Sequence, residues 1–223
     1  MNLLNNIIVH SRNKEKNIRE FIIILYSVGV IGTAIPFTRD IFISLTPFVL
    51  LISLLILYLF HEPSPSLKTL IVFSFIYILS LATEMTGVNT GIPFGDYTYG
   101  RGLGVRLFGT PVIIGLNWVL LIYCTHIIAE QLMPGNLLKI AGASSLMLLY
   151  DIIMEQVAPE MDMWFFEDDV IPLSNYISWF LLASFFHLLL KITGSRFENK
   201  LAPLLFSSQL AFFFILMILF KLT

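Results

Sequence analysis

Long apolar stretches separated by short polar breaks make up most of the chain. An α-helix needs about 20 apolar residues to cross a hydrocarbon core about 30 Å thick. The pattern predicts spans over residues 21–37, 41–60, 67–83, 112–129, 138–157, 176–192 and 201–222. We therefore predict an all-α, polytopic membrane helix bundle of about seven transmembrane helices, forming one transmembrane domain over residues 1–223.

Composition agrees with this pattern and removes several other classes of protein. Hydrophobic residues make up 57% of the chain and charged residues 13%, against about 25% charged in soluble domains. The net charge of -2 provides no basic face for nucleic acid. The single cysteine, Cys124, excludes a disulfide framework.

The distribution of basic residues predicts the orientation, because cytoplasmic loops carry an excess of Lys and Arg. With the N-terminus inside, nine of the 13 Lys and Arg residues fall on the inner side. These nine are Arg12, Lys14, Lys16, Arg19, Lys68, Lys139, Lys191, Arg196 and Lys200. We expect a multi-pass protein of the cytoplasmic (inner) membrane, with the N-terminus inside and the C-terminus outside.

Two connections are longer than the others and both lie on the predicted outer side. Residues 87–111 are rich in Gly, Pro and Tyr, and residues 158–175 are rich in acids and aromatics. Long loops in compact proteins are usually functional or disordered. Because aromatics are dense in both loops, we expect them to lie at the membrane interface or to pack against the mouth of the bundle.

Acidic residues occur where cations are absent from the neighbouring sequence. No Lys or Arg lies between residues 140 and 190. Within that stretch, Asp151 and Glu155 are four apart and share one helix face, and Glu84 ends the third predicted span. Ionisable groups at membrane depth are costly and usually functional. A low dielectric and a like-charged neighbour favour a protonated carboxyl, which is what a general acid requires.

Other features have ordinary structural interpretations. No pair of histidines has the spacing of a metal site, so we expect no metal. The Phe-rich segment 206–220 is expected to face lipid. Ser174 or Asn175 is expected to cap the sixth predicted span.

Four motifs occur in order between Glu84 and Trp179. They are Glu84-x-x-Gly87 with Gly91-Ile92-Pro93-Phe94-Gly95-Asp96-Tyr97-x-Tyr99, Pro111 with Asn117-Trp118, Tyr150-Asp151-x-x-x-Glu155-x-x-Ala158-Pro159, and Trp164 with Ile171-Pro172-Leu173-x-Asn175-Tyr176-x-x-Trp179. Together they resemble the integral-membrane carotenoid biosynthesis proteins of the bisanhydrobacterioruberin and γ-carotene/lycopene 1,2-hydratase type.

The resemblance implies an enzyme that adds water across the terminal C1–C2 double bond of an acyclic carotenoid end group. Its expected partners are an acyclic or monocyclic carotenoid with a lycopene-like end, water and membrane lipid, and no cofactor is expected. The chemistry needs a proton donor, shelter for a tertiary cation and one placed water. We expect Asp151 to be the acid, with Glu155 or Glu84 holding the water. The other candidate residues stabilise the cation or position the water: Asn117, Trp118, Tyr150, Asn89, Asp96, Tyr97, Trp164, Asn175 and Trp179.

Three alternatives remain open from the sequence. A carotenoid cyclase-like enzyme would protonate the same double bond but capture the cation internally. A polyprenyl transferase would use Asp151-x-x-x-Glu155 with magnesium. A carotenoid or lipid carrier would need no catalysis.

Overall fold

Eight α-helices and four short strands form within residues 14–222, the part of the chain that the computed structural model describes. The helices are α1 (Glu15–Ala34), α2 (Pro36–Ser44), α3 (Thr46–Leu59), α4 (Leu67–Thr90), α5 (Ile113–Leu132), α6 (Asn136–Glu155), α7 (Leu173–Ile192) and α8 (Ala202–Leu222). The strands are β1 (Tyr97–Tyr99), β2 (Arg106–Leu107), β3 (Thr110–Pro111) and β4 (Trp164–Phe166), and a 3-10 turn covers Glu167–Asp169.

The helices confirm the predicted class of an all-α membrane bundle. Six of them, α1 and α4 to α8, are long and apolar enough to cross a membrane. The pair α2 and α3, bent by 51°, passes the same test together, either as a broken seventh span or as a re-entrant loop. The expected continuous span over residues 41–60 is therefore broken at Leu45. Pro47, in the first turn of α3, lacks the N–H that would continue the ladder from α2.

Helix α5 lies at the centre of the bundle. In its apolar window 78% of the residues are buried, against 22–33% in the other five long helices. It packs against α3, α4, α6, α7 and α8. Polar side chains on α5, such as Asn117, are therefore held inside protein and away from lipid.

The two long loops pair with each other, which the sequence pattern did not predict. Strands β1 and β4 are antiparallel, with Tyr97 opposite Phe166 and Tyr99 opposite Trp164. Beyond the strands, the N–H of Gly100 donates to the carbonyl of Met163 at 2.8 Å. A Cβ at Gly100 would lie 2.3 Å from the carbonyl oxygen of Asp162, so this close approach requires glycine. The paired loops close one end of the bundle.

Helix α8 faces the bundle as well as lipid. Phe206 and Phe213 are buried, with ring centroids 6.1 and 5.6 Å from that of Tyr150, whereas Phe214 is exposed. The expectation that the Phe-rich segment faces lipid is therefore wrong for the stripe that contains Phe206 and Phe213. These residues are seven apart, two helical turns, and so lie on one face.

Candidate active site

Glu84 is buried near the end of α4 and accepts three hydrogen bonds from neutral donors. Its Oε2 accepts from the hydroxyls of Tyr97 and Tyr99, each at 2.7 Å. Its Oε1 accepts from the indole Nε1 of Trp118 at 2.9 Å. One carboxyl thus connects α4, strand β1 and the central helix α5.

Asp151 and Glu155 meet one amide on the opposite side of the site. The Nδ2 of Asn175 donates to Asp151 Oδ2 at 3.2 Å and to Glu155 Oε1 at 3.1 Å. The other oxygen of Glu155 accepts from Trp164 Nε1 at 2.7 Å. Asp151 Oδ1 is buried and has no hydrogen-bond partner among the described residues.

The positions of Asp151, Glu155 and Asn175 along their helices bring the three side chains into contact. Asp151 and Glu155 are one helical turn apart on α6, so both point toward α7. Asn175 lies in the first turn of α7, but Pro172 occupies the cap position and no side chain caps the helix. The expected cap by Ser174 or Asn175 is therefore wrong, because the Asn175 amide is taken up by the two carboxyls.

Within residues 14–222, no Lys or Arg forms an ion pair with any of these three carboxyls. Other acids that lacked a cation nearby in sequence find one in space. Arg39 lies 3.7 Å from Glu160, and Arg101 lies 3.1 Å from Asp162. The three carboxyls inside the bundle thus have no cation among the described residues, and hydrogen-bond donors compensate for their burial.

A small cavity lies between the two groups of carboxyls. It has a volume of about 20 Å³, and its lining includes Glu84, Glu155, Asn175 and Trp179. A polar cavity needs roughly 10–15 Å³ of this kind of space to hold one water. The site therefore has room for one water between Glu84 and Glu155.

A larger apolar cavity adjoins the small one. Its volume is about 310 Å³, and Ile114 and Trp164 line both cavities. Trp164 therefore presents its N–H to Glu155 while its ring also borders the apolar cavity. Asp151 lines neither cavity but follows Tyr150, which lines the larger one.

Aromatic rings surround the carboxyls. The rings of Trp118 and Trp179 stack with centroids 4.0 Å apart and planes inclined by 21°.

Burial raises the pKa of Tyr97 and Tyr99 above the usual value of 10.0, and Glu84 raises both further. Both tyrosines therefore remain O–H donors to Glu84.

The structure brings ten of the twelve residues proposed from the sequence to this region. Asn89 and Asp96 lie apart. Asn89 is exposed, and its amide donates to the carbonyls of Met85 at 2.7 Å and Phe108 at 3.2 Å, which ties a loop to α4. Asp96 is exposed in the loop before β1. We assign neither residue a role in the site.

Sequence reasoning assigned no role to two residues of this region. Tyr99 is two residues from Tyr97, and alternation along a strand puts both on one face. Gln209 is buried on α8, and its Nε2 donates to the Tyr150 hydroxyl at 2.7 Å and to Asn117 Oδ1 at 3.3 Å. The signal for Gln209 was a single amide within an apolar span.

The described residues include no group of three or more His, Cys, Asp or Glu side chains arranged to hold a metal ion. The three carboxyls instead meet N–H and O–H donors. This arrangement suits proton transfer between carboxyls, water and a neutral ligand.

The sequence of the chain is similar to those of known proteins. A family model described as carotenoid biosynthesis protein matches residues 45–223. The chain is also similar to the bisanhydrobacterioruberin hydratase of Haloarcula japonica, with 28% identity over 118 residues. That match covers 48% of this chain and 39% of the relative's length. No solved structure matches the chain.

Proposed function

The chain belongs to the carotenoid biosynthesis protein family, and from this premise we propose that it is a carotenoid 1,2-hydratase. It adds water across the terminal C1–C2 double bond of an acyclic carotenoid end group and gives a tertiary alcohol. Similarity to a protein named as a hydratase supports this reaction over other chemistry on the same substrates.

The observation that carries the proposal is the cation-free carboxyl cluster around a water-sized cavity. Glu84 and Glu155 line that cavity, and Asn175 connects Glu155 with Asp151. Hydration of an alkene needs an acid and a positioned water, and it leaves the oxidation level of the substrate unchanged. The chain's own side chains supply the acid and line the space for the water.

The number of hydrogen-bond donors distinguishes the three carboxyls. Glu84 accepts three hydrogen bonds, Glu155 two and Asp151 one. Donors stabilise a carboxylate, and a buried carboxyl with few donors and no cation favours its proton. We assign the acid to Asp151 and the water-holding role to Glu84 and Glu155.

The steps then balance with water as the one added reactant. The acid proton forms a bond to C2, and the π electrons leave a tertiary cation at C1. The held water bonds to C1 through oxygen, and its surplus proton passes to a carboxylate of the cluster. Return of that proton to Asp151 completes the cycle.

The stacked indole rings of Trp118 and Trp179 stabilise the tertiary cation in this proposal. Trp118 donates to Glu84, and Trp179, stacked on Trp118, lines the small cavity. The face of a Trp ring stabilises a desolvated cation by about 2 kcal/mol. A ring also excludes bulk water, so one water reaches the cation.

Expression beside an acyclic carotenoid pathway tests the proposal. We expect pigments heavier by one water, and a loss of at least about 100-fold in Asp151→Asn, Glu155→Gln and Glu84→Gln, as is typical for removal of acid-base groups. Glu130→Gln changes a carboxyl far from the cluster and serves as the matched control. Retention of full product formation by all three cluster variants would contradict the catalytic assignment.

Two further readouts separate the alternative enzymes. A product of unchanged mass would indicate cyclisation. Loss of activity in excess chelator, with recovery on magnesium, would indicate metal-dependent prenyl transfer. We expect a hydrated product and unchanged activity with chelator.

We also propose that the carboxyl cluster lies toward the outer side of the cytoplasmic membrane. The basic ends of α6 and α7 then face the cytoplasm, as expected from the excess of Lys and Arg there. Arg12, which contributes to that excess, lies outside the described residues. Reporter fusions in the loops after α5 and α6 test the orientation.

A further inference from the structure

The apolar cavity beside Trp164 runs from the exterior of the bundle to Tyr150 and Trp164, which border the carboxyl cluster. Val28 and Leu45, at one side, are 48% and 42% exposed, whereas Ile114 and Met154, at the other, are buried. Resting on the proposed function, we infer that this cavity binds a single isoprenoid end group while the rest of the polyene stays in the bilayer. The protein therefore processes a carotenoid one end at a time.

The lining identifies the chemical class of the ligand. None of the described residues around this cavity is charged. Its walls are aliphatic and aromatic side chains, among them Leu25, Val49, Leu103, Phe212 and Phe213. Because no cation is available, the lining does not suit a diphosphate head group. Apolar walls of this kind suit a branched hydrocarbon.

One corner of the cavity is polar and sets the direction of binding. Asn117, Tyr150 and Gln209 line it, and Gln209 donates to both of the others. Tyr150 immediately precedes Asp151, and Trp164 separates the cavity from the water-sized space beside Glu155. A hydrocarbon end pushed to this corner has its terminal double bond next to the carboxyl cluster.

The volume limits how much of the substrate enters. A cavity of about 310 Å³ is at the lower end of the roughly 300–1,000 Å³ seen for pockets that enclose drug-sized ligands. An extended carotenoid is about as long as the hydrocarbon core is thick, about 30 Å. Only an end group fits, and the remaining polyene leaves past the exposed side.

The break between α2 and α3 forms that exposed side. Leu45 and Thr46, at the bend, line the cavity opposite Val28 and Gly29 of α1. Access here is from the hydrocarbon region, where a carotenoid is dissolved. The sequence pattern predicted one continuous span over residues 41–60. The bend that interrupts it lines the open side of the cavity.

Binding is measurable apart from turnover. The chain has three tryptophans, Trp118, Trp164 and Trp179, and all lie at the site, so a bound polyene quenches their fluorescence. In the Asp151→Asn background we expect saturable quenching by an acyclic carotenoid in detergent. Gly29→Phe and Val49→Phe fill the cavity from two walls and should each weaken this binding by about tenfold or more, equivalent to 1.4 kcal/mol.

Ile31→Phe is the matched control, because Ile31 is on α1, 60% exposed and absent from the cavity lining. It should bind as tightly as the Asp151→Asn parent. Circular dichroism checks that each variant is folded, and if Gly29→Phe is not, Val49→Phe decides. Unchanged binding in the folded cavity variants overturns the inference.

Product order tests the one-end conclusion separately. With a substrate that has two identical ends, we expect the singly hydrated pigment to be released and to accumulate before the doubly hydrated one. Doubly hydrated product without free singly hydrated intermediate overturns it. Quenching without any hydrated product would refute the proposed function while leaving the binding cavity in place.

Discussion

Acidic side chains have different partners at the two ends of the bundle: cations at one end and neutral hydrogen-bond donors at the other. At one end Glu130 lies between two cations, 2.7 Å from Lys139 and in contact with Lys191. At the other end Glu84, Asp151 and Glu155 are more deeply buried and meet neutral N–H and O–H groups. An acid paired with cations is held as a charge, whereas an acid among neutral donors can exchange a proton. The difference distinguishes a structural acid from a candidate catalytic one.

The largest expected difference between the ends is in stability on removal of a carboxyl. Glu84→Ala removes the carboxyl that accepts from three buried donors and leaves Tyr97 only the backbone carbonyl of residue 84 at 3.4 Å, at about 1–3 kcal/mol for each unsatisfied donor. We expect the thermal midpoint in detergent to fall by about 6 °C or more, at roughly 2–4 °C per kcal/mol for a chain of this size. Glu130→Ala should lower it less, and an equal fall in both would contradict the comparison.

Trp164→Phe tests, through activity, whether a neutral donor to Glu155 matters for catalysis. It keeps an aromatic ring beside the apolar cavity but removes the N–H that donates to Glu155. A hydrogen bond to a charged group is worth about 1.5–3 kcal/mol, so we expect hydrated product to form about 10- to 100-fold more slowly. Phe165→Leu, on the more exposed face of β4, is the control and should retain the parental rate.

Tyr97→Phe and Tyr99→Phe test the donors of Glu84 one at a time. Each change should cost about 1 kcal/mol. Because both tyrosines have a pKa raised above 10.0 in the folded state, their contribution is present below about pH 10 and is lost as unfolded tyrosine ionises above it. Thermal unfolding from pH 7 to pH 11 should show a smaller alkaline fall in the Phe variants, and identical pH profiles would refute this.

The smallest expected effect is at the paired end. The side chains of Lys139 and Lys191 are about one-fifth exposed and that of Glu130 one-third, so salt screens these pairs. Glu130→Gln should cost about 1 kcal/mol or less and should remove part of the loss of stability between 0.1 and 1 M NaCl. Glu84→Gln should leave the salt dependence unchanged, and a salt response there would contradict a cation-free cluster.

Several elements of the site were predictable from local pattern. Spacing on one helix placed Asp151 and Glu155 together, and the two long loops, distinguished by their composition, supply Tyr97 and Trp164 as donors to the carboxyls. The pairing of those loops into β1 and β4 was not predictable, because strands of three residues carry too little periodicity to distinguish them from coil. For the same reason Tyr99, although part of the first motif, was assigned no role.

Contacts distant in sequence account for the other differences. Glu160 and Asp162 lack a nearby cation in sequence, yet Arg39 and Arg101 reach them from more than 60 residues away. Gln209 lies 59 residues from Tyr150. Local pattern shows which residues are polar, but only the packing of helices determines which polar groups meet.

The sequence by itself determined that this chain forms a membrane helix bundle, and it located the scarce charged residues. Hydrophobic length and periodicity are local properties, so they are readable without a fold. Tertiary structure alone decided that Glu84 and Glu155 line one water-sized cavity and that Asn175 connects Glu155 with Asp151. It also decided that a bend at Leu45 lies beside an apolar cavity leading to them. Burial, pairing and cavity shape arise from helix packing, and no single segment of the chain contains them.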